Sequence, residues 1–248
     1  MAPASDPRPA GFVTASGFAT ASGEIVGGVG HGEFVGELTH DELTDLFGMG
    51  RRRCWPAGAT LFSEGDRSTT VVLVLTGRAK VFSLTEQGGE VLLAIRGPGA
   101  LLGELSALDG EPRSASVAAV EPLTALVVPV ADFLDFLTDH PNAAVRIVRM
   151  IVTRLRDADR KRIEFGAYDT LGRVALRLVE LAERFGASAE RGVRITVPLT
   201  QDELAAWTGS SRESVTKALS TLRRQGVIET QRRAVSVLDL EVLRARAK

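Results

Sequence analysis

The chain has 248 residues, 44% of them hydrophobic, a formal net charge of −1 and one cysteine, which allows one large domain or two ordinary ones with real cores. The lone Cys54 excludes an internal disulfide, a cysteine-rich zinc site and a cysteine-ligated iron–sulfur cluster, and His31, His40 and His140 are too scattered to ligate a metal. No run approaches the roughly 18 apolar residues of a membrane span, and no basic segment followed by an apolar stretch opens the chain, so the expectation is a cytoplasmic protein with no membrane partner.

Residues 1–35 are rich in Ala, Ser, Thr, Gly and Pro without sustained apolar periodicity, and are expected to form a flexible extension. Leu38, Leu43 and Leu46 then approach helical spacing and predict a short helix. From Arg51 to about Pro129 the pattern changes to short apolar stretches: TLFSE, TTVVLVLTG, RAKVFSLT, EVLLAIRG, ASVAAV and LTALVVPV. Turn signals separate them at intervals of about 8–12 residues, the pattern of an antiparallel β-sandwich or β-roll. One stretch interrupts this pattern: GELSALDGEPRSA, Gly103 to Ala115, sets Glu104 and Arg113 among glycines and small residues.

Beyond ADFLDFLTDH, Pro141 can open a helix at its first turn, and a long helix is expected from about Asn142 to Ala167. Ala144, Val148, Ile151, Leu155 and Ala158 recur along it at steps of four and three, a narrow seam suited to a partner helix. DTLGRVALRLVELAERFG then reads as an amphipathic helix and RGVRITVPL as a short strand.

Charge is unevenly spread. There are 9 basic and 18 acidic residues up to Asp139, against 21 basic and 13 acidic from His140 onward, and a basic C-terminal part suits an acidic partner such as nucleic acid. Within that part, Thr200 and Glu203 form a capping-box pattern before QDELAAW, Thr208–Gly209 stop the helix, and Ser210 or Ser211 can cap a second helix through RESVTKALSTLRR. Two helices joined by a tight Gly turn are a helix-turn-helix, with Leu204, Val215, Leu219 and Leu222 as its core stripe. VIETQ and RAVSVLD read as a β-hairpin wing. The second helix presents Arg212, Glu213, Ser214, Thr216 and Lys217 outward, groups that read base edges in the major groove. Gln201, Ser211 and the wing residues Arg232 and Arg233 are expected to hold phosphates.

A β-roll carrying GELSALDGEPRSA, a long helix and a terminal SRESVTK helix-turn-helix resemble the family of the cyclic AMP receptor protein and the fumarate and nitrate reductase regulator, over about residues 38 to 246. The resemblance implies an α+β fold: an N-terminal cyclic-nucleotide-binding-type β-roll (jelly roll) at 36–140, a dimerisation helix at 141–168, and a C-terminal winged helix-turn-helix at 169–248. It implies an effector, cyclic AMP (cAMP) or cyclic GMP (cGMP), and no metal. The cyclic phosphate would meet Arg113 and Ser114, the ribose hydroxyl would meet Glu104, and the backbone of Gly103 and Leu105 would line the site. Arg154 would pair with Glu104. The base-reading positions of the long helix, one from each subunit, fall on Ala158, which makes no hydrogen bond, and Asp159, which only accepts. Function follows: a homodimeric DNA-binding transcription regulator, not an enzyme, that binds a palindromic operator and, where it activates, RNA polymerase. Two other readings are open at this stage. In one, the β-roll is only a dimerisation scaffold and no effector binds; in the other, Glu104 and Arg113 simply pair with each other.

Overall fold

The computed structural model describes residues 18–19, 25–26, 33–86, 88–231 and 234–247. Most of the expected N-terminal extension, and the wing residues Arg232 and Arg233, lie outside the described residues. Two short strands, β1 (Phe18–Ala19) and β2 (Ile25–Val26), pair antiparallel. Folded structure begins earlier than composition suggests, because Phe34 and Val35, at the end of the expected extension, are buried in the core. A 3-10 turn at Phe34–Glu37 leads to helix α1 (His40–Met49), which Thr39 and Glu42 cap reciprocally.

Two four-stranded antiparallel sheets form the roll. One has the order β3 (Arg51–Trp55), β10 (Leu123–Pro129), β5 (Thr70–Thr76) and β8 (Leu101–Leu102); the other has β4 (Thr60–Phe62), β9 (Ser116–Ala119), β6 (Ala79–Leu84) and β7 (Glu90–Arg96). The TVVLVLT run of β5 explains why alternation is lost there. Val72 and Val74 fill the space between the sheets, while Val71, Leu73 and Leu75 pack outward under helices, so both faces are covered. The covering helices are α1, α3 (Val130–Asp139) and the start of α4 (Pro141–Ala167), through Leu43, Leu46, Phe133, Phe136 and Ile147. Helix α2 (Glu104–Asp109) is the only helical turn inside GELSALDGEPRSA.

Helix α4, with Pro141 at its first turn, runs roughly 40 Å at 1.5 Å per residue. Of the expected seam, Ala144 and Ile151 are half-buried against the β-roll core, whereas Val148 and Leu155 stay outward, each 60% exposed, in one stripe with Val145 and Val152. Apolar residues at both 144/151 and 145/152 give α4 two faces, and the roll takes the one centred on Ala143 and Ile147. Asp159 falls at the next step of the outward stripe, four residues beyond Leu155.

The C-terminal unit consists of α5 (Thr170–Phe185), β11 (Gly186–Ser188), β12 (Val193–Ile195), α6 (Gln201–Thr208), α7 (Arg212–Arg224), β13 (Ile228–Gln231), β14 (Ala234–Val237) and α8 (Leu240–Arg246). Val174, Leu178, Leu204, Val215, Leu219 and Leu222 form its centre, and Leu92 and Ile95 of β7 join the same cluster, so this unit packs directly on the roll. Polar links reinforce the contact: Arg78 forks onto Glu121 and reaches Thr196 Oγ1 at 2.7 Å. No helix among the described residues is long and apolar enough to cross a membrane.

Candidate effector pocket and DNA-reading helix

The GELSALDGEPRSA stretch is placed by its glycine. After β8 the chain turns at Gly103, whose φ of 78° lies in the left-handed region, and α2 begins at Glu104. A Cβ at Gly103 would collide with the Arg113 guanidinium. Gly103→Ala is therefore expected to lower stability by about 1–2 kcal/mol from the backbone alone, read by urea unfolding.

Glu104 is 1% exposed and Arg113 4% exposed, and they do not pair with each other. Glu104 accepts a short hydrogen bond from Arg154 Nη1, while Arg154 Nη2 donates to the Leu101 carbonyl at 3.0 Å. The expected Arg154–Glu104 pair thus ties the pocket to α4. Arg113 donates from Nη1 to the Gly103 carbonyl at 2.9 Å and from Nη2 to the Thr70 carbonyl at 2.5 Å, and its guanidinium lies 4.2 Å from the Phe62 ring centroid. Among the described residues it forms no ion pair, and its Nε is buried without an acceptor. Burial lowers its pKa, with Glu104 and Asp66 acting in the opposite sense. The result is a buried cation held by neutral carbonyls, whose charge an incoming anion would neutralise.

Around it opens a cavity of about 520 Å³, within the size range of small-molecule sites. Gly103, Glu104, Leu105, Arg113, Ser114, Arg154 and Ala158 all line it. Asp159 does not; it is exposed on the outward face of α4. Several lining side chains were not singled out from the sequence. Phe62 and Arg96 come from strands where nothing in the local pattern marks them, and Lys161, Phe165 and Trp207 come from the end of α4 and from α6. Arg96 has its pKa lowered to about 10, first by burial and then by Arg154, with Arg184 also lowering it and Glu33 and Glu104 opposing. Burial likewise lowers the pKa of Lys161, whose Nζ donates to the Leu93 carbonyl at 2.9 Å.

The helix-turn-helix is built as its caps predict. Thr200 and Glu203 close a capping box on α6, Gly209 makes the turn with φ 56°, and Ser211 rather than Ser210 caps α7 by accepting from Ser214 N at 3.1 Å. Ser210 is used differently: its Oγ takes a 3.1 Å bond from Arg173 Nη2, and Arg173 also donates to the Thr208 carbonyl at 2.8 Å. Arg173 thereby fastens α5 to the turn. Ser211, Arg212, Glu213, Thr216 and Lys217 are exposed along one face of α7, and Ser214 is half-buried beside them. Gln201 is placed next to this face by a 2.8 Å bond from Thr216 Oγ1. Arg212 lies 3.5 Å from Asp202 and Lys217 2.8 Å from Glu213, both pairs well exposed. Such pairs contribute about 0–1 kcal/mol, so either cation is free to exchange its carboxylate for a base edge or phosphate at little cost.

Comparison with known proteins agrees with both halves. A family model described as a cyclic nucleotide-binding domain matches residues 52–140, and one described as a Crp-like helix-turn-helix domain matches residues 172–246. A CRP-like cAMP-activated global transcriptional regulator of Mycobacterium tuberculosis is 33% identical over 194 residues, covering 78% of this chain and 87% of that protein. A cyclic AMP receptor protein of Thermus thermophilus is 33% identical over 206 residues, covering 83% and 92%. The crystal structure of a CRP-family transcriptional regulator from Thermus thermophilus superposes with a TM-score of 0.68 at 27% identity, over 79% of this chain and 96% of that one. With a roll that matches a cyclic nucleotide-binding domain and a Crp-like helix-turn-helix joined by one long helix, the chain belongs to the CRP/FNR family of DNA-binding transcription regulators.

Proposed function

We propose that this protein is a homodimeric regulator that binds a cyclic nucleotide at Arg113 and reads a two-fold symmetric operator with α7. The observation that carries the effector half is Arg113 itself: a buried guanidinium without a carboxylate partner, facing a cavity of nucleotide size. Against it the cyclic phosphate accepts charge-assisted bonds, helped by Ser114. Glu104, already oriented by Arg154, takes the ribose hydroxyl. The two relatives at 33% identity described above are named for cyclic AMP, which makes cAMP the first nucleotide to test and cGMP the second.

The dimer half rests on Val145, Val148, Val152 and Leu155, an apolar stripe on the longest helix. Fully burying a Val or Leu side chain contributes about 1.5–3 kcal/mol. Paired across a two-fold axis, the stripe closes on itself. Asp159 continues that stripe, so it would face the second protomer, where its carboxylate can accept from the amino group of a base in that protomer's cavity. Ala158 stays in its own. A two-fold dimer would also set two α7 helices into successive major grooves, about 34 Å apart. The protein would then act in the cytoplasm and, at promoters it activates, contact RNA polymerase.

Titration calorimetry of the full chain with cAMP and with cGMP tests the effector. Binding of either supports the reading; heat from neither supports a roll that serves only as scaffold. For the DNA half, Arg212→Ala is expected to cost about 1–3 kcal/mol of specific affinity and to relax base preference at one position. Equal weakening on all sequences, read by anisotropy on a panel of single-base variants, would make Arg212 a phosphate contact instead.

A further inference from the structure

The effector cavity has a wall that belongs to the DNA-binding unit. Trp207, on α6, lines the same space as Arg113 and Ala158 and is 4% exposed. Its indole Nε1 is buried and has no acceptor. An indole N–H can only donate, so burying this one without a partner carries a desolvation cost that a side chain with no polar atom would not. Neighbouring core positions of α6, Leu204 and Ala205, are aliphatic. The ring itself is held from two sides: Lys161 Nζ stands 5.6 Å and the Arg177 guanidinium 5.7 Å from its centroid. Lys161 is in turn bonded to the Leu93 carbonyl of β7. Trp55 also has an unpaired Nε1, but it sits between the two sheets and is not part of the cavity wall.

We propose that Trp207 is an effector-binding residue: when a nucleotide seats in the cavity the indole turns so that its N–H donates to an acceptor of the base or ribose. This rests on the reading of the cavity as a nucleotide site. The ligand then touches the roll, α4 and the first helix of the helix-turn-helix within one chain. Because α6 packs on α7 through Leu204 and Leu219, a ligand that pulls on Trp207 biases the direction of the reading helix itself. Control of DNA binding thereby gains a direct route besides the one through α4 and the dimer seam.

Intrinsic fluorescence isolates the contact. In a Trp55→Phe protein Trp207 is the only tryptophan left of the two, so its emission reports on this wall alone. Saturating cAMP or cGMP, whichever calorimetry shows to bind the full chain, is expected to shift that emission and to protect it from acrylamide. Trp207→Phe, which keeps an aromatic ring and removes the donor, is expected to raise the nucleotide Kd about five- to tenfold. A melting temperature measured on the same ligand-free sample separates a lost contact from a lost fold. Unchanged emission and unchanged Kd, with nucleotide bound, would overturn the assignment of Trp207 and leave the nucleotide site standing. No binding by the unsubstituted chain removes the nucleotide site, and this contact with it.

Discussion

Arg113→Gln is expected to raise the nucleotide Kd by roughly 10²- to 10³-fold, or about 3–4 kcal/mol, the cost of leaving a desolvated phosphate without its charged partner. Two features make this the largest single effect on binding. The guanidinium is buried, so water screens its charge only weakly, and among the described residues it has no carboxylate to compete with the ligand. The same side chain also closes the turn by donating to the Gly103 and Thr70 carbonyls, so stability falls by about 1–3 kcal/mol as well. Calorimetry and urea unfolding on one preparation separate the two. Arg113→Lys keeps the charge but loses the planar fork, and its Kd is expected to fall between those of Arg and Gln. If Arg113→Gln bound nucleotide as the parent does, the phosphate would have to lie elsewhere in the cavity.

Leu155→Arg is expected to convert the dimer to a monomer and to weaken operator binding by roughly 10²- to 10⁴-fold, the range by which two linked half-site contacts exceed one. Leu155 is 60% exposed in the single chain and lies on the outward stripe, so the substitution removes no core contact of one protomer while placing two like charges across the seam from each other. Sedimentation velocity checks the mass, and anisotropy on a selected operator checks the affinity. A dimer that survived with Leu155→Arg would place the seam on another surface. Ile151→Arg offers an instructive contrast: Ile151 packs on the roll core, so that change is expected to lower folding stability.

The two seams of α4 illustrate how much of this molecule was legible beforehand. Turn spacing was enough for the roll, because each strand pair ends where Gly or Pro must bend the chain. The helix-turn-helix was legible to within a residue because its caps are side-chain hydrogen bonds written into the sequence: Thr200 with Glu203, and Ser211 with Ser214 N. Helix α3 carries no such signal. Pro129 precedes it and no side chain caps it, so its only signal is the burial of Phe133, Phe136 and Leu137. The outward stripe of α4 is ambiguous in the sequence because the helix is apolar on adjoining faces, and only the position of the roll decides which apolar residues stay exposed. Pocket residues followed the same rule. Those inside GELSALDGEPRSA were marked by their unusual company, whereas Phe62 and Trp207 look like ordinary core residues until the fold brings them to one cavity. Arg154 lies between these cases: its partner Glu104 is fifty positions away, and only the family resemblance points to the pair.

The most direct test of the whole account is the affinity of the full chain for a duplex selected from a random pool, measured by anisotropy at one fixed salt concentration with and without saturating cAMP or cGMP. Fixed salt matters because phosphate contacts make all such affinities salt-dependent. One of these nucleotides is expected to change the operator Kd by about 5- to 150-fold, the coupling expected when a ligand distinguishes two states of its receptor, and Arg113→Gln to remove the change. Equal operator affinity with and without both nucleotides would contradict effector control and leave the roll as a dimerisation scaffold.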